Sequence, residues 1–296
     1  TTGANNVAIG DDALGANTDQ SSNCAVGYHA LAANTTGSFM TAVGTEALAA
    51  NTTGQYNTAC GGRALDVNTT GDYNTAMGVN ALGASTTGDG NTALGYASMI
   101  ANTTASGNTA VGRESLYSNT TGANNTAVGW GALYSNTTAH NNTAVGSNAL
   151  LSNVTGTNNC AFGHDALETN TAGNNSAFGF EALKASSTGG DNSSFGAHSL
   201  STNTTGQYNT AMGQAALNAN TTGDSNTAVG QGALRDNTTA DANTALGKDS
   251  LANCTTGDGN VSIGYKALED VTTSAGNIAI GYRAGDSTPG GQGIFI

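Results

Sequence analysis

The sequence predicts an all-β fold, a repeat β-solenoid or parallel β-roll of about seventeen coils, and three observations predict it. Pentapeptides of the Asn-Thr-Ala-Val-Gly type recur every 17 residues from residue 6 to residue 277, with one step of 16 residues. A repeat of this length is too short for the helix pair of helical repeat proteins, which needs about 33 residues or more. Finally, Thr, Asn and Gly recur throughout the unit, and all three are poor helix formers.

The composition agrees with a series of thin cores. Gly accounts for 43 of 296 residues, apolar residues for 37%, and charged residues for only 9%. Many of the apolar residues are Ala, so the chain has too few large side chains for a deep globular core. It also lacks the high charge that is typical of disordered chains.

The unit has the consensus Asn-Thr-Ala-Val-Gly-x-x-Ala-Leu-x-x-Asn-Thr-Thr-Gly-x-x, whose positions we number one to seventeen. Gly at position five predicts a bend that needs positive φ or a close backbone approach. Position nine is nearly always Leu, and Asn at position twelve predicts a row of amides that satisfies backbone groups of the loop. Representative structural positions are Gly10, Gly27, Gly44, Gly61, Gly78, Leu14, Leu31, Leu48, Asn34 and Asn51.

Each coil is expected to contain a short strand at positions two to four and a second short strand around the Ala-Leu pair at positions eight and nine. Because side chains alternate along a strand, positions two and four, such as Thr58 and Val43, are predicted to point inward. The Leu of position nine is predicted to point in from the opposite wall. Position three is then outward, yet it stays Ala or Ser, which suggests that another copy of the chain packs closely on it.

Catalysis is not expected. The four cysteines lie in different coils, too far apart for a disulfide, and are predicted to be free thiols in the core. The four histidines also lie in different coils and columns, and they are predicted to be surface residues without a catalytic partner.

One column of carboxylates is a candidate metal site, although no cofactor is otherwise expected. Position sixteen is Asp in three consecutive coils, and carboxylate oxygens are ligands that Ca²⁺ favours. The alternative is a solvated edge that keeps the protein soluble. The candidate calcium column consists of Asp224, Asp241 and Asp258.

The charge excludes some partners. With a net charge of −13 and 7 Lys and Arg residues, the chain is a poor candidate for binding nucleic acid. No apolar stretch is long enough to cross a bilayer, so membrane insertion is not expected. The first residues do not show the charged segment and apolar run of a signal peptide, so none is expected in this sequence.

The segments Asn6-Val-Ala-Ile-Gly10, Asn260-Val-Ser-Ile-Gly264 and Asn277-Ile-Ala-Ile-Gly281 resemble the Ser-Val-Ala-Ile-Gly repeats in YadA-like heads of trimeric autotransporter adhesins. The longer consensus also resembles repeats of phage tail-fibre-like proteins. The resemblance implies a homotrimer, a location outside the cell or on a virion surface, and a structural or adhesive fibre shaft. It also implies a surface receptor or glycan as a further partner.

The residue columns give the remaining expectations. Residues 1–5 are expected to lead into the array, residues 6–285 to form it, and residues 286–296 to end it.

The alternative function is ice binding by the regular Thr columns, which the inward assignment of position two opposes. Candidate receptor contacts are aromatic residues at position six, such as Tyr28, Tyr96, Trp130, Tyr265 and Tyr282.

Overall fold

The predicted fold class is confirmed by a computed structural model that describes residues 3–286 and 292–296. Within these residues the chain forms short strands joined by turns, with no helix and therefore none that could span a membrane. The chain divides into two compact units, Thr1–Ser147 and Asn148–Ile296. Residues 1 and 2 of the expected lead-in and residues 287–291 of the expected end of the array lie outside the described residues.

Each unit is a parallel β-solenoid in which one strand per coil pairs with the strand of the next coil. In the first unit the strands are β1 Val7–Ile9, β2 Cys24–Val26, β3 Thr41–Val43, β4 Thr58–Cys60, β5 Thr75–Met77, β6 Thr92–Leu94, β7 Thr109–Val111, β8 Thr126–Val128 and β9 Thr143–Val145. In the second unit they are β10 Cys160–Phe162, β11 Ser176–Phe178, β12 Ser193–Phe195, β13 Thr210–Met212, β14 Thr227–Val229, β15 Thr244–Leu246, β16 Val261–Ile263, β17 Ile278–Ile280 and β18 Ile294–Phe295.

The pairing aligns equal repeat positions, so each position forms a row of stacked side chains along the sheet. Between β5 and β6, for example, Thr75 pairs with Thr92 and Ala76 with Ala93. The 16-residue coil keeps this register, because Cys160 of β10 pairs with Ser176 of β11.

The shorter coil loses its residue from the Asn-Thr-Thr-Gly loop. The carbonyl of Ala172 accepts hydrogen bonds from the side-chain amides of Asn159 and Asn170, at 2.8 and 2.7 Å. In the neighbouring coil the corresponding acceptor is the carbonyl of Gly156, at position fifteen, which accepts a hydrogen bond from the side-chain amide of Asn153. Dropping one loop residue therefore leaves the amide contacts and the strand register in place.

The expected second strand around the Ala-Leu pair is wrong, and a turn occupies these positions. Leu31 and Leu48, at position nine, have φ of 52° and 51°, and His29, at position seven, has φ of 53°. Residues in the left-handed region cannot continue a β-strand. The two left-handed positions reverse the chain after the strand.

The assignment of strand faces is also wrong. Ala42 and Ala59 at position three are fully buried, whereas Val43 at position four and Thr58 at position two lie on the outer face. A narrow coil explains the orientation, because its interior already contains the Leu of position nine, which points inward as predicted, and buried amide side chains. Only the small side chains of Ala or Ser fit on the strand opposite them.

Rows of buried amides bond successive coils together, and the predicted row at position twelve is confirmed. Asn51 donates from Nδ2 to Oδ1 of Asn34 at 3.0 Å and to the carbonyl of Gly54 at 3.0 Å. A second buried row, at position one, was not predicted. There the side chain of Asn74 accepts the backbone N–H of Asn91 at 2.9 Å and donates to the carbonyl of Gly88 at 2.8 Å.

The bend at position five requires glycine, as predicted. Gly112 has φ of 129°, and a Cβ on it would lie 2.6 Å from the carbonyl oxygen of Gly129 in the next coil. Any side chain at this row would therefore push successive coils apart.

Candidate interaction surface

The outer face of the strands is a regular surface that runs along each unit. We call the residues at positions two and four of β1–β17 the strand face. Position two is mostly Thr, and position four carries Val, Ile, Leu, Met, Cys or Phe. Several of these apolar side chains are well exposed: Met77 and Met212 each retain 45% of their accessible surface, and Leu246 retains 46%. The strand face thus combines a row of hydroxyl groups with a row of apolar groups.

No residue of β1–β17 is charged, although the chain carries a net charge of −13. The charged groups lie in the turns and loops instead. Arg63 pairs with Glu46 at 2.7 Å, and Lys266 pairs with Glu269 at 2.8 Å, both in the turns that follow the strands. The strand face is therefore a surface that does not repel a second copy of this acidic chain.

The hydroxyl groups of the Thr row are available to a partner or to water. Thr75, Thr92 and Thr109 are partly exposed, and within the described residues their side chains make no hydrogen bond. The Thr row at position thirteen differs, because Thr52 donates from Oγ1 to the carbonyl of Thr69 at 3.0 Å. The strand-face row thus presents a regular array of free hydroxyl groups on the sheet itself.

No protein-family model matches the sequence, and no curated protein matches it either. Function is therefore inferred from the chemistry of the surface.

The candidate receptor contacts at position six are exposed, but most of them lie far apart. Only Tyr265 and Tyr282 come together, with ring centroids 5.4 Å apart, and Tyr282 is 75% exposed. Tyr28 stacks on His29 at 3.9 Å, and the guanidinium of Arg113 lies 5.9 Å from the ring of Tyr96. Within the first unit, Tyr28, Tyr96 and the half-exposed Trp130 lie in coils that are not adjacent, so these rings do not form one common binding platform.

A more continuous aromatic stack lies at position seventeen and was not predicted. Phe39, Tyr56 and Tyr73 stack in consecutive coils, with centroids 5.3 and 5.0 Å apart and nearly parallel rings. The sequence contained the signal, because these three residues are spaced by 17.

The candidate calcium column has a structural role in the hydrogen bonding of the loops. Asp241 accepts the backbone N–H of Asp224 at 2.7 Å, and Asp258 accepts that of Asp241 at 2.9 Å. Asp224 in turn accepts the N–H of Gln207 at 2.7 Å. Among the residues that the structure describes, no group of three or more acidic, histidine or cysteine side chains is placed to hold a metal ion.

The four cysteines are free, as predicted, but their predicted place in the core is wrong for three of them. Cys254, at position twelve, is buried, and burial raises the pKa of its thiol. Cys24, Cys60 and Cys160 belong to the strand face, and Cys60 is exposed. Burial also raises the pKa of the partly covered Cys160 thiol.

The histidines lie at the surface, and two of them border an ionic cluster around Lys184. Its Nζ lies 2.9 Å from Glu181, 3.0 Å from Asp165 and 3.5 Å from Glu168. Hydrogen bonds donated to Glu181 and Asp165 raise the pKa of Lys184. Burial alone would raise the pKa of Asp165, but hydrogen bonds from Lys184 and Asn148 hold it below its ordinary value. His164 contacts Asp165 at 3.2 Å, and His198 contacts Glu181 at 3.1 Å.

Proposed function

We propose that this chain is a non-catalytic shaft segment of an extracellular fibre, in which copies of the chain associate through their strand faces. The observation that carries the proposal is the uncharged and partly apolar strand face on an otherwise acidic chain. Exposed apolar surface of this extent is typical of protein–protein interfaces. The prediction of self-association therefore remains, but the face of contact is now positions two and four and not the Ala row.

The available area supports association. Each coil advances about 4.8 Å and its strand is about 10 Å long, so seventeen coils offer roughly 800 Å² of sheet surface per copy. A standard protein–protein interface takes about the same area from each partner. A thin coil also buries little apolar surface by itself, so covering the strand face would contribute substantially to its stability.

The resemblance to YadA-like heads and phage tail-fibre-like repeats supports a trimer at the surface of a cell or a virion. In such a fibre the hydrogen-bonded coils would act as a stiff spacer that holds a binding tip away from that surface. The exposed rings at position six and the stack of Phe39, Tyr56 and Tyr73 would remain outside the contact and could bind a surface glycan or receptor.

The test is the mass of the purified chain in solution, measured by light scattering. The proposal predicts an integer multiple of the 29.0 kDa chain mass, and a value three times that mass supports the trimer. A chain that stays monomeric at micromolar concentration would refute the fibre proposal.

Ice binding is the second candidate, and the outward Thr row favours it. The inward assignment of Thr had opposed this function, and that objection no longer applies. Regularly spaced hydroxyl and methyl groups on a flat sheet are suited to ordering water. The measurement is thermal hysteresis at micromolar concentration, and ice growth that is unchanged by the protein would eliminate this candidate. A monomer with thermal hysteresis would replace the fibre proposal.

A further inference from the structure

In three consecutive coils of the strand face, the side chains at position four are larger than elsewhere and those at position two are smaller. In β10, β11 and β12 position four is Phe162, Phe178 and Phe195, whose rings stack with centroids 4.9 and 4.8 Å apart. In the same three strands position two is reduced to Cys160, Ser176 and Ser193. In β1–β9 and β13–β17 position two is Thr, Val or Ile in every strand except β2, and position four is never Phe.

This compensation needs a physical cause. Ser is less favourable in a strand than the β-branched residues that it replaces here. On a face open to water, a Phe ring at position four can extend into solvent and does not require a smaller residue at position two of its own strand. Where two sheets pack on each other at a fixed distance, a larger side chain on one sheet requires a smaller side chain at the position that it contacts on the other sheet. Packed layers tolerate neither voids nor overlap.

We propose that the strand face of the next copy around the fibre axis lies against β10–β12, parallel and in the same coil register. The stacked Phe side chains at position four of one copy form a ridge. This Phe ridge then packs into the shallow groove that the small residues Cys160, Ser176 and Ser193 leave on the other copy. Since one face carries both the ridge and the groove at the same coil spacing, a copy of this chain provides the matching surface. The face is also uncharged, so two acidic chains meet there without repulsion. This inference rests on the proposed fibre function and specifies its contact.

The native Cys160 allows the register to be tested by disulfide formation. In a parallel contact of equal coils, position two of one copy lies opposite position four of the next, so F162C places a thiol near Cys160 of the neighbouring copy. A disulfide requires Cα atoms within about 7 Å. The expected result is an oxidised, covalently linked species from F162C on a denaturing gel, well above the level from the native sequence. The double variant F162C/C160S should lose it.

A matched variant distinguishes the antiparallel arrangement. S193C introduces a thiol at position two of β12, two coils away, and only an antiparallel contact centred on β11 would place it opposite Cys160 of the neighbouring copy. The proposal predicts no linkage from S193C. Linkage from S193C, linkage that persists in F162C/C160S, or none from F162C would each overturn the proposed register.

Rescue by a compensating pair is an independent test. S176T fills the groove and F178V lowers the ridge, and each alone should raise the dissociation constant between copies roughly tenfold or more. The double variant S176T/F178V gives β11 the Thr-Ala-Val sequence of β14 and should restore the native value. Additive losses in the double variant would contradict the proposal.

The outcomes also separate this inference from the fibre proposal. A native chain that is monomeric by light scattering would refute both. A native oligomer whose dissociation constant is unaffected by S176T would refute only the contact proposed here. If S176T instead lowers the melting temperature of the diluted, dissociated chain, then the Ser row accommodates the Phe rings of its own copy, and the inference fails.

Discussion

The amide of Asn119 donates from Nδ2 to Oδ1 of Asn102, 3.0 Å away, in the fully buried row at position twelve. Nδ2 of Asn119 also donates to the carbonyl of Gly122 at 2.9 Å, and its Oδ1 accepts from Asn136 at 2.8 Å. Asn119 thus uses both the donor and the acceptor of its side chain to bond to the coils on either side of it.

Asn119→Asp removes the donor and places a carboxylate against two acceptor oxygens. We expect a loss of about 3 kcal/mol in the free energy of unfolding at pH 7, measured by urea denaturation. The buried carboxyl would have a raised pKa in the folded state, so part of the loss should be recovered as the pH falls and the protonated group regains a donor. Asn124→Asp, at an exposed loop position, should cost little; equal losses in the two variants would contradict the role of the row.

Gly112→Ala should destabilise the protein by about 3 kcal/mol or more, because it combines a strained φ of 129° with a backbone overlap. Gly62→Ala is the matched control. A Cβ at Gly62 meets nothing closer than 4.0 Å, and a change within about 0.5 kcal/mol is expected. Thermal denaturation of the two variants measures the difference. A mild effect of Gly112→Ala would show that the coils are not stacked as tightly as described.

Leu116 combines complete burial with a φ of 49°. Leu116→Met should cost less than about 1.5 kcal/mol, since Met99 occupies the same position in the preceding coil with φ of 50°. Leu116→Ile keeps the volume but places a β-branched residue in the left-handed region, so an additional cost of about 2 kcal/mol is expected. Equal stabilities of the two variants in urea would mean that the left-handed turn is not present.

Lys184 should make the protein more stable near neutral pH than in acid. The pKa of Asp165 is held below its ordinary value in the folded state, so its stabilising contribution is present above the ordinary carboxyl range. That contribution is lost as the pH falls through the folded pKa. We expect Lys184→Met to lower the free energy of unfolding by about 1 kcal/mol at pH 7. The native and variant proteins should converge toward pH 3, and a difference that persists in acid would contradict the ionic origin.

The repeat period predicted the solenoid, the coil register, the bend at Gly112 and its equivalents, and the amide row that includes Asn119. Alternation along the strand also showed correctly that positions two and four share one face, opposite to position three. It could not show which face is inside, because a row of Ala is compatible with either a tight interior or a tight contact. The turn at Leu116 was missed because left-handed Leu is rare, and no sequence signal marks it.

The variation in side-chain size could have corrected the assignment of the faces. Position four ranges from Cys60 and Val111 to Phe178, which is a wider range than a closely packed interior tolerates without rearrangement. Position three never exceeds Ala or Ser. The more uniform row belongs to the interior, and the more variable one belongs to a surface.

The central claim is that the strand face is the contact between copies of this chain, and light scattering on a matched pair of variants tests it most directly. Val111→Asp places a charge at position four of β7, and Thr121→Asp places the same charge on an exposed loop position. We predict that the native chain and Thr121→Asp have the same multiple of 29.0 kDa, and that Val111→Asp shifts toward the mass of one chain while keeping its β-sheet circular dichroism. An assembly that is unaffected by Val111→Asp, or a native chain of single mass, would contradict the claim.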